Sequence, residues 1–548
     1  MIKIICLSLF IPFFYNGNAQ SSNRYWVRFT DKTSTPFAIE NPNEFLSQRA
    51  IDRRMRSNVA VDLQDLPVDP VYIGELSIFT GVTIWNSSKW FNAVSIHVSD
   101  SLILDSIASL PFVLSVDKVK SIRLDSGIEF SSKSLGHSNY HHLYYGMAFR
   151  QIEMHTGHLL HNLGFDGANM TIAVLDAGFD KVDEVDVFST IISEGRLLGT
   201  RDFVDGNNYV FNASQHGTAV LSCMGANTPG KMVGTAPKAN YVLIRTEDVA
   251  SESLVEEDNW IAGAEFADSI GADILNTSLG YTQFDDSSMN HTYADMDGNT
   301  TRISVAADIA ASRGILVITS AGNMGNQPWH YISAPADADS TIAVAAVDSF
   351  MVRAVFSSYG PSSDGDLKPN VASMGFRTAC TFPNGNVQQA NGTSFSSPVL
   401  AGMAACLWQA LPNKSNMEIK SLIERSGHQY NTPDYSLGYG VPNFYEAYLL
   451  GKQESVSHSD ELLRVFPTQF TDKLNIHFHS QDTGNWRLRI LNILGQEILV
   501  KYLYVTDNQY VQTVLTDELL GLNMGAYFIC LSKDDLEISV SKVLKIIP

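Results

Sequence analysis

The chain has 548 residues, enough for several domains, and 45% of them are hydrophobic while 17% are charged. These values are typical of folded globular proteins and exclude a fibrous or wholly disordered chain. The net charge of −21 at neutral pH argues against a nucleic-acid partner, because binding to phosphates requires a basic surface.

The first residues have the layout of a secretory signal peptide. Lys3 precedes an apolar stretch over residues 4–14, and small residues follow at Gly17 and Ala19. We therefore predict a signal peptide over residues 1–19 and export of the remaining chain. The apolar stretch is shorter than the roughly 20 residues that a transmembrane helix needs, and we expect no membrane span after the signal is removed.

Residues 20–140 have the pattern of a small α+β module. The predicted elements are strands at 24–29, 91–98 and 113–119 and a helix at 101–110. The first strand alternates as an edge strand does. The polar segment 131–139 then predicts an exposed linker.

Between residues 145 and 452, short apolar segments alternate with helical patterns. The predicted strands are 171–175, 241–244, 274–275, 315–318 and 341–345. Strands that are apolar on both faces and separated by helices indicate a doubly wound parallel α/β sheet. Ligands and catalytic residues are then expected at the carboxyl ends of the strands.

Residues 392–398 place a serine hydroxyl at the start of a long helix of small residues. Residues 399–411 are almost wholly apolar, which predicts a helix that is buried on all sides. Pro398 is tolerated in a first turn, so the helix is predicted to begin at about Ser394, whose oxygen would face the free N–H groups of that turn. Gly392 is expected to allow another backbone to approach closely. The alternative is an ordinary helix with Thr393 or Ser394 as its N-cap.

Two other segments supply groups that can activate a serine. A buried strand leads directly into Asp176, and His216 stands at the head of a second helix of small residues. A serine hydroxyl becomes a good nucleophile when a base takes its proton, and the base needs a third group to hold its tautomer. Asp176, His216 and Ser394 follow one of the three known chain orders of such a triad. Taken singly, the aspartate is also compatible with a cap and the histidine with a structural role.

The segments 176–178, 216–218 and 392–398 resemble those of the subtilisin-like serine peptidases, and the likeness extends over residues 168–447. This resemblance implies peptide-bond hydrolysis with Ser394 as nucleophile, His216 as base and Asp176 as the orienting carboxylate. Residues 320–323 are similar to the family segment that carries the oxyanion asparagine. Asn323 and the Ser394 N–H are therefore expected to hold the oxyanion, and the alternative for Asn323 is a plain turn residue.

The residues expected to bind substrate come from two short segments. Residues 278–280 are similar to the family's strand that pairs with an extended substrate, and residues 320–322 precede the oxyanion asparagine. Small side chains without charge predict a primary pocket that takes an uncharged, apolar or aromatic side chain. The predicted substrate-binding residues are Ser278, Leu279, Gly280, Ser320, Ala321 and Gly322.

Several other patterns carry weaker signals. The acidic run formed by Glu247, Asp248, Glu252 and residues 256–258 is expected to be solvated, with recognition of basic side chains at outlying subsites as the alternative. The histidines at 155, 158 and 161 lack a second cluster at ligand spacing, and residues 295–299 lack the terminal Glu of a calcium loop. We therefore predict no metal and no cofactor. The cysteines beyond the signal resemble small buried hydrophobes whose pairing the sequence leaves open; they are Cys223, Cys380, Cys406 and Cys530.

The flanking regions resemble known accessory domains. The N-terminal module resembles subtilase propeptides in its strand–helix–strand order, which implies a folding aid and inhibitor that is cut off between residues 135 and 145; an independent binding domain is the alternative. Residues 462–548 have alternating β patterns and predict a small β-sandwich. This tail resembles the C-terminal sorting domain of the type IX secretion system of Gram-negative bacteria, and a carbohydrate- or protein-binding sandwich is the alternative.

Taken together, these patterns predict a secreted or surface-attached serine endopeptidase. Its expected partners are a protein or peptide substrate, its own propeptide and the type IX secretion machinery. An inactive subtilase-like adhesion or scaffold protein and a serine esterase are the alternatives. The extended segment 278–280 favours a peptide over an ester, because an open backbone edge pairs with peptide.

Overall fold

The computed structural model describes residues 23–120, 144–458 and 463–546, apart from 468, 481–482, 494–495, 507–508, 517–518, 520 and 534–535. The predicted signal peptide, the predicted linker 131–139 and nearly all of the expected cleavage region lie outside the described residues. The chain divides into two compact units, Met1–Ala447 and Tyr448–Pro548. The predicted domain boundaries at 140–145 and 452–462 stay predictions.

The N-terminal module is an antiparallel sheet of four strands with the order β2-β3-β1-β4. The strands are β1 Asn23–Phe29, β2 Val82–Ser88, β3 Ala93–Val98 and β4 Val113–Lys120, and the helices are α1 Gln48–Arg56, α2 Pro70–Ser77 and α3 Leu104–Ala108. The sequence analysis missed β2, α1 and α2. The local signals for the two helices are a capping Ser47 and an Asp69-Pro70 start.

The expectation that β1 is an edge strand was wrong, because β1 pairs with β3 on one side and with β4 on the other. Its two faces are both covered. Tyr25, Val27 and Phe29 pack with the module's own helices, whereas Trp26 packs against Val255 of the larger domain. An alternating pattern therefore marked two different packing surfaces.

The larger domain contains a sheet of seven parallel strands in the order β13-β12-β11-β10-β5-β9-β6. Its strands are β5 Thr171–Asp176, β6 Leu197–Asp202, β9 Asn240–Arg245, β10 Ile274–Thr277, β11 Leu316–Ser320, β12 Ile342–Val347 and β13 Val371–Met374. From β5 the chain passes to the edge strand β6, returns to β9 and then crosses to β10 on the other side of β5, so the winding reverses between β5 and β10. A doubly wound sheet binds its ligands at that reversal, beyond the carboxyl ends of the strands. The predicted fold class is confirmed.

Helices cover the sheet. They are α4 Phe149–Glu153, α5 Gly157–Asn162, α6 Ser189–Ser193, α7 His216–Gly225, α8 Val255–Ile270, α9 Arg302–Ser312, α10 Thr393–Ala410 and α11 Asn416–Arg425. A further helix, α12 Phe444–His458, includes the boundary between the two units. Two short antiparallel pairs complete the domain: β7 Asn227–Thr228 with β8 Met232–Val233, and β14 Thr378–Thr381 with β15 Val387–Ala390. As predicted, α10 is buried along almost its whole length; it contacts α7 and strands β10 to β13.

The C-terminal unit is a β-sandwich. One sheet has the order β16-β18-β21 and the other β17-β23-β22-β19-β20. The strands are β16 Arg464–Phe466, β17 Gln469–Phe470, β18 Leu474–Ser480, β19 Gly484–Asn492, β20 Glu497–Val505, β21 Gln509–Leu515, β22 Gly525–Lys533 and β23 Leu536–Lys545. Its core includes Leu474, Trp486 and Ile529. Within the described part of the chain, no helix has the length and apolar character that crossing a bilayer requires.

Candidate active site

Asp176 ends strand β5 and is completely buried. Its Oδ1 accepts hydrogen bonds from His216 Nδ1 at 2.8 Å and from the Ala177 backbone N–H at 2.8 Å. Because the carboxylate accepts a hydrogen bond from Nδ1–H, the neutral imidazole keeps its proton on Nδ1 and Nε2 is the basic nitrogen.

His216 is the first residue of α7, and two glycines allow its helix to approach β5. A Cβ at Gly217 would lie 2.3 Å from the Gly178 carbonyl oxygen, and a Cβ at Gly178 would lie 2.5 Å from the Ser214 nitrogen. The His-Gly and Asp-Ala-Gly patterns therefore have a steric reason: side chains at either glycine would separate the imidazole from the carboxylate.

The electrostatic surroundings raise the pKa of His216 above its ordinary value of 6.5. Burial alone lowers this pKa, but the charge of Asp176, the hydrogen bond to it and the charge of Glu247 outweigh burial. The imidazolium form is thus stabilised where a proton has to be accepted from a nucleophile.

Ser394 lies in the first turn of α10, which begins at Thr393 and has Gly392 as its N-cap without a side-chain cap. The alternative in which Thr393 or Ser394 caps the helix was wrong. Gly392 is also not a point of close approach, because a Cβ there would meet nothing nearer than 3.6 Å. Its φ of +153° is what requires glycine.

Pro398 lies inside α10 rather than in its first turn, which corrects the predicted reason for its tolerance. A proline N cannot donate to the carbonyl four residues earlier, and here that carbonyl belongs to Ser394. The Ser278 Oγ donates to this carbonyl at 2.8 Å, and the Ser394 Oγ donates to the Ser278 carbonyl at 3.3 Å. The missing helix bond is thus replaced by a reciprocal contact between the expected nucleophile and the expected substrate segment.

The Ser394 hydroxyl is not hydrogen-bonded to His216, although the next residue along the chain lies close to the imidazole. The hydroxyl donates to Ser278, while the neighbouring Phe395 ring lies 6.0 Å from the imidazole ring centroid to centroid. Bonds between nucleophile and base are often long or misaligned before substrate binds. Among the described side chains, the structure brings Asp176 and His216 into contact and places the first turn of α10 beside them.

Asn323 follows β11 at the same edge of the sheet, after a turn in which Gly322 has a φ of +107°. Its Oδ1 accepts from the Thr393 N–H at 2.9 Å and from the Thr393 hydroxyl at 3.0 Å. A backbone N–H can only donate, so the oxygen faces Thr393 and the amide NH₂ points away from it. The Asn323 amide group is thus held beside Thr393, which directly precedes Ser394.

The two expected substrate segments lie side by side. Ser278 directly follows β10 and is buried, whereas Gly280 is exposed. The Ser320 Oγ donates to the Leu279 carbonyl at 3.4 Å, and the Gly322 N–H donates to the Thr393 hydroxyl at 3.2 Å. The residues predicted for substrate binding therefore border the first turn of α10.

Most of the acidic run is buried, which corrects the expectation that it is solvated; Asp248 and Glu252 are only partly buried. Glu247, Glu256, Glu257 and Asp258 are all buried. Glu257 accepts from His291 Nε2 at 2.5 Å, and the other carboxyl groups also face partners outside the run or backbone amides. A run of charges is usually solvated, but this one begins helix α8, which is covered by the rest of the fold.

Glu247 belongs to the acidic run, but the sequence analysis did not place it beside the catalytic residues. Its Oε1 accepts from the Tyr281 hydroxyl and, at 3.0 Å, from the Thr246 hydroxyl, and Tyr281 follows the segment 278–280. Burial raises the pKa of Glu247 to about 7. The acidic pattern did not indicate this position, because Tyr281 lies 34 residues away in sequence.

The other weak signals have structural explanations. His155 has both ring nitrogens in hydrogen bonds, to the Pro442 carbonyl at 2.9 Å and to the Ser373 hydroxyl at 2.7 Å, and burial lowers its pKa to about 4. The Asp297 carboxylate accepts from backbone amides of its own loop. In the described ranges, carboxyl oxygens converge at Glu247, Glu252 and Glu256 and again at Asp339, Asp364 and Asp366; carboxylates of this kind could hold a cation.

The N-terminal module contacts α8 through buried charges. Asp268 accepts from Arg53 at 2.5 Å, from Arg54 at 2.9 Å and from Lys89 at 2.9 Å, and all three cations belong to the module. Burial raises the pKa of Asp268, but the charges of Lys89, Arg53 and Arg54 outweigh burial and hold it well below its usual range.

Comparison with known families divides the chain into three parts. The model of the subtilase family matches residues 167–440. A model of the peptidase S8 propeptide domain of Bacteroidota matches residues 24–134, and a model of a secretion system C-terminal sorting domain matches residues 464–546. The sorting domain indicates secretion and attachment at the cell surface.

Similar proteins of known type are subtilisins. Subtilisin DY of Bacillus licheniformis is 30% identical over 283 residues, which cover 51% of this chain and 91% of the relative. Subtilisin NAT of Bacillus subtilis subsp. natto is 30% identical over 292 residues, covering 53% and 68%. Subtilisin of Bacillus pumilus is 30% identical over 292 residues, covering 53% and 94%.

The family match covers half of the chain, and the similarity to the subtilisins extends over most of their length. The predicted propeptide and type IX sorting domain are likewise confirmed as family assignments. This protein therefore belongs to the subtilase family of serine endopeptidases and carries an N-terminal propeptide domain and a C-terminal sorting domain of the type IX secretion system.

Proposed function

We propose that this secreted endopeptidase hydrolyses peptide bonds with Ser394 as nucleophile, His216 as general base and Asp176 as the carboxylate that orients the base. The observation that carries the proposal is the 2.8 Å bond from His216 Nδ1 to Asp176 in a buried position beside the first turn of α10. The bond leaves Nε2 as the nitrogen that accepts the serine proton.

In the proposed reaction the Ser394 Oγ leaves the Ser278 carbonyl, gives its proton to His216 Nε2 and attacks the peptide carbonyl carbon. His216 returns the proton to the leaving amine, and water repeats the sequence on the acyl-enzyme. Asp176 stabilises the imidazolium without taking the proton, which agrees with the raised pKa of His216.

The oxyanion is proposed to lie between the Asn323 amide NH₂ and the Ser394 backbone N–H. The two bonds from Thr393 orient the Asn323 side chain, so the donor is held in place before the charge develops. The N–H groups of a first helical turn have no acceptor within the helix, which leaves the Ser394 N–H available.

Substrate is proposed to bind as an extended strand along residues 278–280, with its primary side chain between this segment and residues 320–322. Both segments are small and uncharged, which favours an apolar or aromatic side chain at the primary position. Cleavage profiling with a peptide library measures this preference, and strict cleavage after Arg or Lys would contradict it.

The N-terminal module is proposed to act as an inhibitor until it is cut off. The buried charges around Asp268 support this role, because separating the module would expose three cations that are otherwise paired. We further propose residues 1–19 as the signal, 20–140 as the propeptide region, 145–452 as the catalytic domain and 462–548 as the sorting domain.

The test of the catalytic assignment is covalent labelling with a fluorophosphonate, which reacts with an activated serine. The purified enzyme should be labelled at Ser394, and the label and the peptidase activity should both be lost in Ser394→Ala. His216→Ala should abolish labelling at neutral pH while Ser394 remains present. Labelling of another serine, or full activity of Ser394→Ala, would overturn the assignment.

A further inference from the structure

Two buried cysteines from distant parts of the chain meet inside the catalytic domain. Cys223 lies in α7 and Cys380 lies in β14, 157 residues later, and their Sγ atoms are 3.6 Å apart. Both side chains are fully buried. Their other contacts are weak ones to backbone carbonyl oxygens, at 3.6 and 3.9 Å for Cys223 and at 3.5 Å for Cys380.

We propose that Cys223 and Cys380 form a disulfide bond in the exported enzyme. The bond requires the two sulfur atoms to approach from 3.6 Å to about 2.05 Å, and side-chain rotation about the Cα–Cβ bonds is the motion that would bring them together. Disulfides form and persist outside the cytoplasm, and the sorting domain directs this chain to that environment.

The electron acceptor in this oxidation is a disulfide, either that of oxidised glutathione or that of an oxidoreductase. The thiolate of one cysteine attacks the acceptor's S–S bond, forms a mixed disulfide and releases one acceptor thiolate. The second cysteine then attacks the mixed disulfide and releases the other. The enzyme loses two protons and two electrons, and the acceptor is reduced to two thiols.

Burial also determines when this exchange takes place. It raises the pKa of the Cys380 thiol well above its ordinary value, so little thiolate is present in the folded enzyme. The bond therefore forms while the domain folds. Once formed, it is protected from reduction because an external thiolate cannot reach it.

The position of the bond links two catalytic elements. Cys223 lies on the helix that begins with His216, and β14 pairs with β15, which ends two residues before Gly392 at the head of α10. A covalent link between α7 and this hairpin restrains the base and the approach to Ser394 relative to each other. Because it closes a long loop, it also restricts the unfolded chain.

The direct test is peptide mapping of mature enzyme collected from the culture medium. The enzyme is inactivated with a fluorophosphonate, denatured in the presence of a maleimide and digested with and without prior reduction. We expect the peptides that contain Cys223 and Cys380 as one linked species before reduction and as two after it. Alkylation of both cysteines without reductant, or linkage of either to another cysteine, would overturn the proposal.

A second measurement compares the thermal unfolding of non-reduced enzyme with that of enzyme that was unfolded in denaturant, reduced and refolded with reductant, because the folded enzyme shields the bond. The non-reduced enzyme should unfold at least about 5 °C higher than the reduced enzyme, and Cys223→Ser and Cys380→Ser should each abolish this difference. Cys406→Ser is the matched control, because Cys406 is equally buried but contacts the Thr235 carbonyl and His161; it should retain the difference. An unchanged unfolding temperature of the wild type on reduction would also count against the bond.

Discussion

The contact between the propeptide module and α8 permits a quantitative prediction. Asp268 lies on α8 and accepts hydrogen bonds from three cations of the module: Arg53, Arg54 and Lys89. Asp268→Asn keeps the shape of the side chain but removes the negative charge. The mature enzyme exposes this surface, so the change should act on the binding of the propeptide rather than on catalysis.

The expected loss of binding free energy depends on which hydrogen-bond partners each cation keeps when Asp268 is replaced. Arg54 keeps its two bonds to Asp65, and Arg53 keeps the Ala272 carbonyl, whereas Lys89 keeps only the Ser269 hydroxyl among the partners described. Removing one partner of a buried ion pair costs about 3–5 kcal/mol. Since two of the three cations remain partly paired, we expect about 3 kcal/mol, which is roughly a 150-fold weaker affinity.

The assay is inhibition of mature enzyme by the separately added propeptide domain, with the dissociation constant taken from steady-state rates. Glu418→Gln is the control, because its exposed pair with Lys414 should leave the affinity unchanged within about threefold. A Lys89→Met propeptide, measured on both enzymes, completes a double-mutant cycle. An effect of Asp268→Asn below about threefold, or strictly additive effects in the cycle, would refute the reasoning.

Three further outcomes are expected. Asn323→Ala should lower kcat about 100- to 1000-fold with little change in KM, which is the magnitude known for the corresponding change in subtilisin. Unchanged turnover in a progress-curve assay would exclude Asn323 from the oxyanion hole. The acid limb of kcat/KM against pH should lie above pH 6.5, because activity needs neutral His216 and its raised pKa keeps it protonated to higher pH. Glu247→Gln should move this limb to lower pH, and an upward shift would be inconsistent with the electrostatics. Ser278→Ala should lower the free energy of unfolding, measured with denaturant, by about 1–3 kcal/mol, because it leaves the Ser394 carbonyl without its hydrogen-bond donor. In a Pro398→Ala background the loss should be smaller, because residue 398 then has a backbone N–H that can donate to this carbonyl.

Much of the fold could be predicted from local pattern. The strands β5, β9, β11 and β12 are continuous apolar segments, and α10 is apolar around its circumference, so both have to be buried whatever surrounds them. The chain order of aspartate, histidine and serine, together with the glycines beside them, could also be recognised in the sequence. These features depend on residues that are neighbours in sequence.

Contacts between distant segments were not predictable in this way. The sequence did not reveal that β1 is central, that the acidic run is buried, or that Glu247 meets Tyr281. Each of these features depends on which elements pack against each other, whereas a local pattern shows only that one face of an element is apolar or polar. By contrast, the Asp69-Pro70 start of α2 and the capping Ser47 of α1 are local signals that indicate helices.

By itself, the sequence determined the apolar strands of the large sheet, the buried helix α10 and the residue types available for catalysis. Only the tertiary structure decided that Asp176 and His216, 40 residues apart, form a hydrogen bond, and that the Ser278 hydroxyl donates to the Ser394 carbonyl in place of the N–H that Pro398 lacks. The physical reason is that hydrogen bonds act over about 3 Å, so their partners are chosen by how packed segments meet in space rather than by their spacing along the chain.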